Sequence, residues 1–136
     1  MDVNVTLKNA ALVASRLDLI GDAAFKAVAA TIIDSGQLLE SAVKRHASGR
    51  PGPNAPTGDY RRSWSTRVRF TADTVTSITG TNRPQAARLE YGFHGMDSLG
   101  RNYNQPPFPH AGPAMDEVRP LAVVAAKTAL ARVARI

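Results

Sequence analysis

Three histidines and eleven carboxylates are the raw material this chain offers for a metal centre or an acid–base pair, and no cysteine adds a thiolate. Their spacing builds neither. His94 and His110 stand sixteen residues apart, without a His-x-x-x-His pair or an acidic ligand cluster, so both read as loop surface. Asp97 and Asp116 are the candidates for paired carboxylates, which do catalytic work only in a cleft that separates their pKa values. In Gly-Met-Asp-Ser, Asp97 reads as a turn cap, and Asp116 reads as part of a helix start. No Gly-x-Ser-x-Gly elbow is present, and Gly49-Arg50-Pro51-Gly52-Pro53 lacks the Gly-Lys-Ser/Thr ending of a phosphate-binding loop. The expectation is therefore a protein without catalytic residues, metal or cofactor.

The remaining chemistry is cationic. Seventeen Lys and Arg against eleven Asp and Glu leave a net charge of +6, which favours nucleic acid or another acidic surface as a neighbour. Arg61, Arg62, Arg67 and Arg69 lie along one segment and are the candidates for facing phosphates as a stripe. The competing reading is a solvated strand face whose charge protects an edge. Trp64 opens the apolar row of that segment and reads as core, not as a platform for stacked bases.

These residues need a scaffold, and 136 residues suit one domain, 1–136, with a single modest core. Aromatics are 6% of a chain that is 43% hydrophobic, so the core must rest on Ala, Val, Leu and Ile. The absence of cysteine fits a reducing compartment. No apolar run approaches the roughly 20 residues that span a bilayer, and the acidic start lacks the form of a signal peptide, so a soluble intracellular chain is expected.

Residues 2–6 alternate as a short edge strand, and Leu7 to about Leu19 allows a short helix. A long helix is predicted from Asp22, as cap, to about Ala47, with Phe25, Val28, Ile32, Leu39 and Val43 on one stripe. Gly36 on that stripe predicts a close crossing, and the small-residue stripe of the last helix is the expected partner. Residues 48–59, rich in Gly and Pro, make a loop. A strand over 60–70 and a Thr-rich one over 74–81 make a hairpin, the second needing a neighbour to fix its register. A two-turn helix over 85–91 ends at Gly92. The last helix is predicted over 114–135, with Asp116 and Glu117 in its first turn and Val118, Leu121, Ala122, Ala125, Ala129 and Val133 inward. The fold class is α+β: two long helices packed on a small antiparallel sheet built around a β-hairpin, with a long Gly/Pro-rich loop.

That loop, from Arg88-Leu89-Glu90-Tyr91-Gly92-Phe93-His94 to Pro106-Pro107-Phe108-Pro109-His110, is dense in aromatics, glycines and prolines, which excludes regular helix or strand. Phe93, Tyr103 and Phe108 either fold back on the domain or face another molecule. The second reading makes residues 93–104 a docking arm and the first an Ω-loop; both stand.

Three pieces in order, Thr57-Gly58-Asp59-Tyr60-Arg61-Arg62-Ser63-Trp64, then Gly80-Thr81-Asn82 leading to Glu90-Tyr91-Gly92, then Pro106-Pro107-Phe108 with Pro113-Ala114, resemble the tail-component family of long-tailed bacteriophages. The likeness covers roughly residues 20 to 130. It implies a structural virion protein at the head-to-tail junction, a neck or tail-completion component assembled in the host cytoplasm as a ring of copies of itself, expected to be a hexamer. Implied partners are head connector or stopper proteins, the tail terminator or tail tube protein, and genomic DNA passing non-specifically through the lumen, with no membrane. A tail terminator capping the tube is the alternative, and a small basic nucleic-acid-binding protein the rival from another class. Carried over, Thr57-Gly58 turns the chain into the hairpin, Glu90-Tyr91-Gly92 ends the short helix and Phe108 anchors the loop. Residues 93–104 extend the pattern. The interface candidates are Arg88, Tyr91, Phe93, His94, Met96, Leu99, Arg101, Tyr103 and Phe108.

Overall fold

The longest element is a helix, α1 (Gly21–His46), and the remaining elements are placed by what its faces meet. The structure is a computed structural model and describes residues 1–7, 21–72 and 74–135. The expected helix over 7–19 falls mostly outside the described residues, and Leu7 itself ends a strand. Asp22 lies inside the first turn of α1 instead of capping it, and Lys44, Arg45 and His46 close the last turn, so the charges complement the helix dipole.

One side of α1 meets a three-stranded antiparallel sheet of β1 (Asp2–Leu7), β2 (Ser65–Phe70) and β3 (Val75–Gly80), in the order β1-β3-β2. The neighbour that β3 needed is β1, and β3 is the central strand. Its register aligns Val3, Thr79 and Thr66 across one face. That face carries small polar side chains because α1 crosses it closely. A Cβ on Gly36 would stand 1.8 Å from Ser77 Oγ and 2.9 Å from Thr66 Cγ2. The Gly36 carbonyl accepts hydrogen bonds from Thr66 Oγ1 at 3.1 Å and Thr79 Oγ1 at 3.3 Å. The close crossing is thus real, but its partner is the sheet and not the last helix.

The last helix packs along another side of α1, in the most extensive contact between elements. Labelled α4 after two short helices, α2 (Asp59–Arg62) and α3 (Ala86–Tyr91), it spans Ala111–Ala134. It starts three residues before the expected position, so Asp116 and Glu117 lie in its second turn. Its inward stripe is Ala111, Ala114 and Val118, with Ala122, Ala129 and Val133 half-buried, whereas Leu121 and Ala125 face solvent, contrary to expectation. Leu39, Ala42, Val43, Trp64, Ala111, Ala114 and Val118 form one core cluster; Val28, Ala29, Ile32 and Val75 form a second, which Phe25, Val68 and Leu130 border.

Two further segments differ from expectation. Residues 59–62 form a helical turn, so the strand begins only after Trp64, and Phe70 at its far end is exposed. The stretch after Gly92 is regular after all: β4 (Phe93–Met96) and β5 (Asn102–Gln105) make an antiparallel hairpin. Its strands are four residues long, β4 is interrupted by Gly95 and β5 is polar at three of four positions, which hides the alternation on which a strand reading depends.

Gly36→Ala gains about 1 kcal/mol of helix propensity and loses more to the sheet, for a net cost of about 1–3 kcal/mol. On a Ser77→Ala background the cost shrinks, because the nearest atom to the new Cβ is the serine hydroxyl. A urea-denaturation double-mutant cycle checks this coupling; additive effects within about 0.3 kcal/mol would count against the crossing.

Candidate functional site

The three motif segments meet at one buried point. Glu90 sits on α3 with only 7% of its surface exposed, and its carboxylate caps the start of α4 from outside that helix. Oε2 accepts from the backbone N–H of His110 at 2.8 Å and of Ala111 at 3.0 Å, and Oε1 accepts from Gly112 at 2.8 Å. A buried carboxylate is tolerated only when its oxygens are satisfied, and the first N–H groups of a helix need acceptors and carry positive potential. Each therefore meets the requirement of the other. No side chain of α4 caps its own start.

His110, expected at the surface, is fully buried. Its Nδ1 donates to the Phe108 carbonyl at 2.9 Å and lies 3.0 Å from Glu90 Oε2, and its Nε2 is 2.7 Å from the Tyr60 hydroxyl. The two ring nitrogens thus face opposite ways, one toward Phe108 and Glu90 and the other toward Tyr60. The rings of Tyr60, Trp64 and His110 meet edge to face, 5.5 to 6.3 Å apart. A Tyr–His–Glu line resembles a nucleophile with its base and orienting acid, but the Tyr60 hydroxyl is altered in the wrong direction for attack. Burial pushes its pKa up to about 12, opposed by the Trp64 indole and reinforced by the Glu90 charge. The trio acts as an anchor: Asp59–Arg62, Glu90 and the start of α4 come from distant parts of the chain and are tied through one imidazole.

Gly92 lets the hairpin leave this anchor. It ends α3 with φ 80°, its N–H donating to the Arg88 carbonyl, and a Cβ there would stand 2.8 Å from the Gln105 carbonyl oxygen and 3.0 Å from Pro107 N, where the returning strand passes. Phe108 then fixes the return, its N–H donating to the Leu89 carbonyl at 2.6 Å and its ring lying 3.9 Å beneath the Arg50 guanidinium.

Beyond that point the hairpin projects. Arg88 covers Phe93 at 3.9 Å, Arg101 lies 5.8 Å from Tyr103, and the two rings are 6.4 Å apart. The turn is closed by Asp97, as its sequence context predicts: Oδ1 accepts from the N–H groups of Leu99 and Arg101, and Oδ2 from Arg101 Nε. The Arg101 backbone N–H is the largest cause of an Asp97 pKa below the usual carboxylate range, burial opposing it and the Arg101 side chain reinforcing it. Met96, Leu99 and Tyr91 are 65%, 74% and 74% exposed, and His94 is exposed. Of the interface candidates, Phe108 serves the anchor, Arg88 and Phe93 the base of the hairpin, and Met96, Leu99, Arg101 and Tyr103 its free end.

The four arginines do not make one stripe. Arg61 and Arg62 are on α2, bonded to Ser48 Oγ and Asp59 respectively, while Arg67 and Arg69 are on β2, Arg67 with Asp2 at 3.2 Å. Among the described residues no group of three or more His, Asp or Glu side chains could hold a metal, and no helix is long and apolar enough to cross a membrane. Sequence reasoning missed His110 and the capping role of Glu90; the available signal was a Glu-Tyr-Gly followed at about twenty residues by a helix start with no cap of its own. No protein-family model matches the chain, and no curated protein or solved structure does.

Glu90→Ala strands three backbone N–H groups and should cost about 3–5 kcal/mol. Glu90→Gln should also destabilise, since one end of its amide must present a donor to a donor. Thermal melts check both, and a Glu90→Gln protein as stable as wild type would remove the capping argument. The Tyr60 hydroxyl gives a pH prediction: its folded pKa, about 12, lies above the ordinary 10.0, so its contribution is complete below pH 10 and is lost as the pH climbs toward 12. Denaturation between those values should show stability falling in wild type and more weakly in Tyr60→Phe.

Proposed function

We propose that the chain is a non-catalytic structural protein of the head-to-tail junction of a long-tailed phage, a neck or tail-completion subunit that works as a ring and joins the head connector to the tail tube around passing DNA. The supporting observation is the anchor. Thr57-Gly58 through Trp64, Glu90-Tyr91-Gly92 and Pro106-Pro107-Phe108 with Pro113-Ala114 are the segments that resemble the tail-component family, and Tyr60, Trp64, Glu90 and Phe108 from those segments meet His110 around the start of α4. A motif set that converges on one anchor supports a shared fold better than the same motifs scattered over the surface would.

The anchor also gives the subunit an assembly element. From it projects a hairpin with exposed apolar side chains that makes few contacts with the rest of the chain. A lone two-stranded hairpin is marginal in water, and a contact with a neighbouring subunit or with the connector would supply the missing burial. A ring needs two unlike surfaces on each copy, and an arm on one side meets that need. Among the arginines, Arg67 and Arg69 on the open face of β2 are the better placed to face DNA. A tail terminator would use the same arm and ring.

Replacing residues 94–103 by a short Gly-Ser linker leaves the anchor and both core clusters in place, so the melting temperature should move by no more than about 5 °C. In the phage that encodes the chain, electron microscopy should show filled heads and free tails that fail to join. A stable shortened protein that still yields normal numbers of joined, infectious particles would overturn the arm and its role in joining.

A further inference from the structure

The flank of the α1–α4 layer that faces away from the sheet carries exposed apolar side chains. Leu38 on α1 is 51% exposed, and Leu121 and Val124 on α4 are 55% and 62% exposed. Helical spacing gathers them: Leu38 lies two turns before Arg45, and Leu121 and Val124 lie one and two turns after Glu117. Arg45 and Glu117 meet on this flank, with Arg45 Nη2 2.6 Å from Glu117 Oε1. The helices run antiparallel, since Arg45 meets Glu117 at one end and Leu130 reaches the Val28, Ala29 and Ile32 cluster at the other. Leu38 and Val124 therefore sit at one level on the same flank.

The outward row of α1 holds its own complement. It reads Asp34, Leu38, Ser41 and Arg45, all exposed, with acid at one end, base at the other and the apolar residue between them. Asp34 makes no ion pair among the described residues. Turned over by a two-fold axis across the helix, the row meets a copy of itself with Asp34 opposite Arg45, Leu38 beside Ser41, and Leu121 and Val124 closing on their equivalents. Each contact then occurs twice, as in an isologous interface.

We infer that this face is a two-fold contact between two copies of the chain. Two helices side by side are about 20 Å across, and about 20 shared residues at 1.5 Å each give about 30 Å of length. The face is on the order of 600 Å² per copy, the small end of specific interfaces, so the dimer is weak and concentration-dependent. This inference does not rest on the virion reading. A two-fold contact lies outside any ring formed by unlike surfaces, and so describes the free protein.

Sedimentation equilibrium across the micromolar range tests it, with circular dichroism confirming that each variant folds. Wild type should show monomer and dimer in exchange, and the dimer should weaken as salt rises. Asp34→Arg alone and Arg45→Asp alone should each weaken it by about tenfold or more, because each places like charges opposite each other. An equimolar mixture of the two variants should recover dimer. In that heterodimer the arginine introduced into one chain meets the aspartate introduced into the other, and the unaltered Arg45 of the first meets the unaltered Asp34 of the second. Wild type that stays monomeric throughout, an Asp34→Arg protein that dimerises like wild type, or a mixture that recovers nothing would each overturn the inference.

Discussion

The structure depends on a carboxylate that serves a helix to which it does not belong. Glu90 is on α3, yet it accepts the first three N–H groups offered by the start of α4. A helix N-terminus carries positive potential and donors without partners, and inside a protein both require an answer. The answer here comes from another element, so the start of α4 is satisfied only where α3 is also in place. The tie is extended by His110, whose ring links the Glu90 carboxylate to Tyr60 and whose Nδ1 also holds the Phe108 carbonyl. Short contacts within a few residues thus fix the relation of α2, α3 and α4, three elements that share little apolar surface.

The other constraint is a polar seam where apolar packing would be usual. Gly36, Thr66, Ser77 and Thr79 bring α1 so near the sheet that only small side chains fit. Two hydroxyls bond to the Gly36 carbonyl, which gives the crossing direction as well as distance. Dispersion alone would allow α1 to slide along a sheet of Val and Leu. The register of β3, weakly specified by its own side chains, is fixed by pairing on both sides and by this seam.

The parts of this arrangement visible in the sequence are those carried by periodicity. The stripe of α1, the pairing of β2 with β3, the short α3 ending at Gly92 and the α+β class follow from spacing within one segment. What the sequence hides are interactions between segments. The partner of Gly36 depends on which element lies over it, and a glycine on a stripe is silent on that question. The start of α4 reads too late because Asp116 and Glu117 look like its negative charge, whereas the charge comes from Glu90, about twenty residues upstream. His110 looks exposed because prolines surround it, and its burial depends on Tyr60, which lies fifty residues away. The hairpin at 93–105 is concealed by strands of four residues, too short to show a period.

The same distinction between local and distant information bears on how this chain would assemble. An anchor that ties α2, α3 and α4 together holds the hairpin at its base, through Gly92 and Phe108. Both ends of the hairpin return to α3, through Gly92 to the Arg88 carbonyl and through Phe108 to the Leu89 carbonyl, while Met96 and Leu99 at the tip are exposed. An element of this kind can be placed accurately without being buried, which is what a contact with a neighbour requires: its direction is set before the neighbour arrives, and its turn is already closed by Asp97. The α1–α4 flank differs in kind. Its acid and base are arranged to meet a copy of themselves, so it favours two-fold pairing where the hairpin favours a chain of unlike contacts. The two surfaces share no residue, so one subunit carries both.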